Sequence, residues 1–106
     1  MEAKFKEDSS ALAVQLIGDL IGGADAMTFS QSLKEAIAGA KNGGLRKVNL
    51  DAAAVGFVNS SGLGMLLAAR QAAKDAGAEF AMVNPPTQLK SLLEITKLTD
   101  ILGVSV

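Results

Sequence analysis

The side chains that most often carry chemistry are missing: the 106-residue chain has no His and no Cys. Without them there is no ordinary zinc site, no Ser–His dyad and no thiol nucleophile. Carboxylate, lysine, hydroxyl and backbone chemistry remain, and three groupings could use them. The first is the hydroxyl pair of "VNSSGLG", where Ser60 and Ser61 stand between Asn59 and two glycines, Gly62 and Gly64. The second is a set of acids, Asp19, Asp25 and Asp51, which could gather at one end of a sheet, where α/β proteins place ligands. Paired carboxylates there could serve acid–base chemistry, but turn or cap roles account for all three more cheaply. The third is glycine-rich. "GDLIGG" (18–23) precedes a helix yet matches neither G-x-G-x-x-G nor the pattern ending in Gly-Lys-Ser/Thr. "GAKNGG" (39–44) follows a helix, so no helix N-terminus is present to hold phosphate.

The serine pair is the most informative of the three. A helix is expected to begin near Ser60 or Ser61, with one hydroxyl as its N-cap, worth roughly 1 kcal/mol. Ser61 is the better placed to cap, which leaves Ser60 for a partner to read. Capping alone does not explain two glycines in the first turn, each costing roughly 1 kcal/mol relative to Ala. Gly62 and Gly64 are expected to leave that surface bare, so that another protein's backbone can approach Ser60 and the free amides. A phosphate on Ser60 would sit against the positive end of the helix and leave the domain folded. It would change the surface charge by about −2, enough to repel a complementary partner.

These residues must be positioned by the elements around them. "KFKED" (4–8) reads as a short edge strand, "DSS" (8–10) as a turn, and "ALAVQLIGDL" (11–20) as a strand with Leu12, Val14 and Leu16 on one face. The first two strands then make a hairpin. Residues 21–44 change period: Phe29, Leu33, Ala36, Ile37 and Ala40 form a helical stripe, with Asp25 as N-cap and "KNGG" as the stop. A strand is expected at Lys47–Leu50 and a separate extended piece near Val55–Val58. The next helix runs to about Ala76, with Leu63, Leu66, Leu67 and Arg70 on one face and Gly77 ending it. "AEFAMV" (78–83) is an apolar strand, "NPP" an extended exit, and residues 87–96 a third helix with Leu89, Leu92 and Leu93 inward. "LTDILGVSV" could add a short last strand. The order ββαβαβα implies an α/β fold: a mixed sheet of four to five strands, the first pair antiparallel, the later ones joined by parallel crossovers, with helices mainly on one side.

Length and composition agree with one domain over residues 1–106, with a core of small aliphatic side chains. Hydrophobic residues make up 49% of the chain, yet it has only four Phe and no Trp or Tyr. Ten basic against eleven acidic residues leave a net charge of −1, the wrong balance for nucleic acid. No apolar run is long enough to insert in a membrane, no leader is visible, and the lack of Cys is compatible with a cytoplasmic protein.

At "VNLDAAAVGFVNSSGLGMLLAARQAAKDAGAEFAMVNPPTQLKSLLEITKLTDIL" the chain resembles the STAS domain, in particular the small stand-alone anti-sigma factor antagonists of bacteria. The likeness extends over "VQLIGDLIGGADAMTFSQSL", and so over essentially the whole chain. It implies a non-catalytic regulatory protein, a monomer or weak dimer, that acts by partner switching. On that resemblance Ser60 is the phosphoacceptor, and an anti-sigma factor serine kinase is both the enzyme that modifies it and the partner it binds. ATP and Mg²⁺ belong to that kinase, and a PP2C-type phosphatase resets the serine; the chain itself needs no cofactor or metal. Asn59, Ser61, Gly62 and Leu63 would flank the acceptor in the partner surface, with Asp19 a neighbour from the end of the second strand. One residue departs from the pattern, since the family usually has Asp before the acceptor and this chain has Asn59. The alternative resemblance is to the STAS subunits of bacterial lipid-transport ABC systems, which bind the ATPase subunit without phosphorylation.

Overall fold

The computed structural model describes residues 1–41 and 44–104 of the chain. Four strands and three helices follow in the order β1 (Glu2–Asp8), β2 (Ala11–Leu20), α1 (Ala24–Lys41), β3 (Lys47–Val58), α2 (Ser60–Asp75), β4 (Glu79–Val83) and α3 (Thr87–Ile95). The sheet order is β1-β2-β3-β4, with β1 antiparallel to β2 and the other two pairs parallel. The mixed sheet and the element order are therefore as the periodicity requires. A fifth position holds only an isolated bridge, Met82 to Val104, and residues 105–106 lie outside the described part of the chain.

Alternation decides which face is buried. Leu12, Val14 and Leu16 of β2, Val48 and Leu50 of β3 and Met82 of β4 are all at 1% exposure or less. Ala13 and Gln15, pointing the other way, are exposed. Phe29, Leu33, Ile37 and Ala40 of α1 complete the core from the helix side, together with Leu89 and Leu93 of α3. Leu92 of α3 and Ala36 of α1 are only half-buried.

Several local expectations change. Asp25 is not the N-cap of α1: the helix begins one residue earlier, after the Gly22–Gly23 turn, and Asp25 lies in its first turn. Its carboxylate sits 3.4 Å from the Met1 amine. The expected stop at "KNGG" falls partly on Asn42 and Gly43, outside the described residues, while Gly44 takes a φ of +84°. Asn84 does not extend the chain ahead of Pro85; it turns it with a φ of 56°, a left-handed conformation that Asn tolerates better than most residues. Gly77 ends α2 as expected, with the Ala78 N–H donating to the Ala73 carbonyl at 2.9 Å.

The largest correction concerns β3, which is one strand of twelve residues and not two pieces. Its register against β2 slips twice: a step of two on β2 (Gln15 to Ile17) faces a step of three on β3 (Asp51 to Ala54), and the same happens from Gly18 to Leu20 against Val55 to Val58. Each slip inserts an extra residue into β3, which bends the strand and resets which side chains face inward. Buried positions consequently fall at Ala52, Val55 and Val58, a spacing of three that no strand pattern predicts.

Candidate functional site

The end of β3 delivers the chain to the start of α2, and the cap there is Asn59. It is extended (φ −100°, ψ −174°), and its Oδ1 accepts from the Gly62 N–H at 2.8 Å. Neither serine is the N-cap, contrary to the expectation for Ser60 or Ser61. An Asn ranks with Ser as a cap, so its arrival one residue earlier frees both hydroxyls. The other side of the same amide donates from Nδ2 to the Ile21 carbonyl at 3.3 Å, and the Asn59 N–H donates to the Leu20 carbonyl at 3.2 Å. The segment after β2 is thus bound to the segment before α2.

Two serines adjacent in sequence have different surroundings. Ser60 is the first residue of α2 and is exposed. Ser61 is exposed as well, but its Cβ side lies against Gly22, where an added Cβ would be 2.5 Å from the Ser61 Cβ. It also borders a cleft of about 190 Å³ between α1 and α2, shared with Phe29, Leu33 and Met65.

The glycines divide their work as well. At Gly62 a Cβ would overlap the Leu20 carbonyl oxygen, so this residue is buried and clears space for the chain's own β2 end, not for a partner. At Gly64 an added Cβ would meet nothing within 4 Å, and this residue is exposed. The buried face of α2 is Gly62, Met65, Leu66, Ala69 and Ala73. Of the residues expected on one face, Leu66 is buried, whereas Leu63, Leu67 and Arg70 are only half-covered.

The acids do not gather. Asp19 uses its Oδ1 to accept from the Phe57 N–H at 2.8 Å, mending the second register slip where ladder pairing fails. Asp51 caps the first slip through the Ala53 N–H at 3.0 Å. Asp25 faces the Met1 amine. Among the described residues no three acidic, His or Cys side chains come close enough together to hold a metal ion. Asp19 adjoins the site through Phe57, in a bond internal to the fold. Asp19→Ala is expected to lower stability by about 1–2 kcal/mol, since it leaves a strand amide without its acceptor. Asp19→Asn should lose less, because a carbonyl oxygen remains. Chemical denaturation of the two variants checks this, and equal losses would rule out the bulge bond as the cause.

Sequence reasoning missed two exposed apolar residues in the segments that meet at the cap. Ile21 is 53% and Phe57 61% exposed, both large, and both tied to the cap: Ile21 by its carbonyl, Phe57 through its place on β3. With only four Phe in the chain, showing one to solvent so close to the cap in sequence is informative. Phe57 also walls a cleft of about 230 Å³ with Gln88, Leu89 and Leu92 of α3. The signal was present in the sequence as "VGFVN", but a regular strand would have buried every second residue there.

The family described as "Mlab, STAS domain" matches residues 3–103. No curated protein sequence is significantly similar to the chain. Among solved structures, an anti-sigma factor antagonist from Mycobacterium paratuberculosis superposes with a TM-score of 0.75 at 19% identity, over 97% of this chain and 83% of that one. The anti-sigma factor antagonist SpoIIAA in its unphosphorylated form gives 0.73 at 16% identity, over 99% and 89%. The phosphorylated form of SpoIIAA, a Bacillus cell fate determinant, gives 0.67 at 16% identity, over 99% and 92%. No helix among the described residues is long and apolar enough to cross a membrane.

Proposed function

The chain belongs to the STAS domain family, and from that premise we propose that it is an anti-sigma factor antagonist working as a phosphorylation-controlled binding module in the cytoplasm. Its unphosphorylated form captures an anti-sigma factor serine kinase and so frees a sigma factor for transcription. The observation that carries this reading is the presentation of Ser60: exposed on the first turn of α2, with Phe57 and Ile21 exposed in the two segments that meet at Asn59. The existence of a structural neighbour in both unphosphorylated and phosphorylated forms supports it.

The chain is a substrate here and not an enzyme. The kinase brings ATP and Mg²⁺, and the Ser60 Oγ takes the γ-phosphoryl group as ADP leaves. The product adds about −1.5 to −2 charges at the positive end of α2, beside a neutral cap. Helix and cap remain, while an apolar contact surface acquires a dianion that an acidic or apolar partner face must shed. A PP2C-type phosphatase removes it and restores binding.

Incubation with a recombinant serine kinase of the anti-sigma class and ATP should add one phosphate, absent from Ser60→Ala. Retention of the phosphate in Ser60→Ala would overturn the assignment of the acceptor, and absence of any mass change in the natural sequence would overturn the switch. The neutral Asn59 favours a second reading, in which the same surface binds the ATPase subunit of a lipid-transport ABC system without modification. That reading predicts a stable complex with the ATPase that Ser60→Ala leaves intact.

A further inference from the structure

Three contacts converge on Asn59, two of them from the end of β2 and the turn after it, where Ile21 is 38 residues away in sequence, and one from its own helix. Its main-chain N–H holds Leu20, its Nδ2 holds Ile21 and its Oδ1 holds the Gly62 amide. The amide orientation is set by these partners, because the opposite flip would face an NH₂ group toward an N–H and an oxygen toward a carbonyl. Gly62 admits the Leu20 carbonyl to the helix start, and Gly22 lies flat against Ser61. We infer that Asn59 is a positioning residue: its two-sided amide fastens the turn Leu20–Gly23 to the first turn of α2, which joins Ile21 and Ser60 in one surface and sets Ser61 against Gly22. The part of this that concerns serine choice rests on the proposed function; the clamp does not.

The consequence is that a carboxylate, which relatives usually carry at this position, is the worse residue in this chain. Asp would still accept from the Gly62 N–H, and its charge suits a helix N-terminus. It has no donor for Ile21, however, and sets a negative oxygen against a carbonyl oxygen. Ser would likewise cap without donating to Ile21, and Ala would do neither. Cap and clamp are therefore separable by substitution.

Amide hydrogen exchange by NMR reads each half. The amide at position 59 reports the turn through its bond to Leu20, and the Gly62 amide reports the cap. In Asn59→Asp and Asn59→Ser the position-59 amide should exchange about tenfold faster than in the natural sequence, the loss of roughly one hydrogen bond, while Gly62 stays protected. In Asn59→Ala both should accelerate. A merely structural side chain would move the two amides together, and that result in the Asp and Ser variants, or an unchanged position-59 amide, overturns the clamp. In the kinase reaction, the natural sequence should take phosphate at Ser60 alone and Asn59→Asp should spread it to Ser61. Phosphate confined to Ser60 in both would overturn the role in serine choice. If the natural sequence takes no phosphate at all, the proposed function fails instead, and the amide pattern alone decides the clamp.

Discussion

Gly62→Ala should lower the stability of this domain by about 2–4 kcal/mol, a large share of what a single domain of this size possesses. Simple helix propensity predicts the opposite sign, since Ala is worth roughly 1 kcal/mol over Gly inside a helix. Packing wins because the obstacle is a backbone oxygen: the new methyl would occupy the place of the Leu20 carbonyl. That carbonyl also receives the Asn59 N–H, so it cannot retreat without breaking the join between β2 and α2. The control lies two residues on. Gly64→Ala meets nothing within 4 Å and should be neutral or stabilising by up to about 1 kcal/mol. Urea midpoints at constant slope measure both variants. If Gly62→Ala is as stable as the natural sequence, the close approach of α2 to β2 is not what the glycine is for.

Phe57→Ala should show the reverse pattern, a large effect on binding and almost none on stability. The ring is 61% exposed, so removing it should change folding by no more than about 0.5 kcal/mol. On the proposed function, with the partner docked over this ring, it should contribute about 2 kcal/mol or more, near 30-fold in affinity. Calorimetric titration of the anti-sigma factor kinase against natural and Phe57→Ala chains measures the loss. Unchanged affinity would place the partner elsewhere, and comparable losses in binding and folding would make the ring a structural residue.

Both predictions turn on how β3 meets α2, which was the least legible part of the sequence. The period of two in "ALAVQLIGDL" and the helical stripe from Phe29 to Ala40 were readable because regular elements repeat their inward direction. The register slips at Asp51–Ala54 and Val55–Val58 break that repeat, so "DAAAVGFVN" looked like two fragments, and the exposure of Phe57 was invisible. The serine pair was recognisable as a helix start. Which residue caps it was not, because Asn, Ser and Asp compete nearly equally for that place.

The sequence by itself determined the order of elements, the buried face of the sheet, the end of α2 at Gly77 and the location of the exposed hydroxyl. Those properties depend on residues near one another in the chain, where side-chain direction follows from local period and turn chemistry. Only the tertiary structure decided that Asn59 holds Ile21, that Gly62 yields to Leu20, that Asp19 serves a strand amide, and that Ser61 lies against Gly22. Each of these is a contact between the end of β2 and the β3–α2 junction, segments 38 residues apart for Asp19 and Asn59 alike. No local pattern carries such a contact, since it exists only once two bulges have bent β3 back over the end of β2.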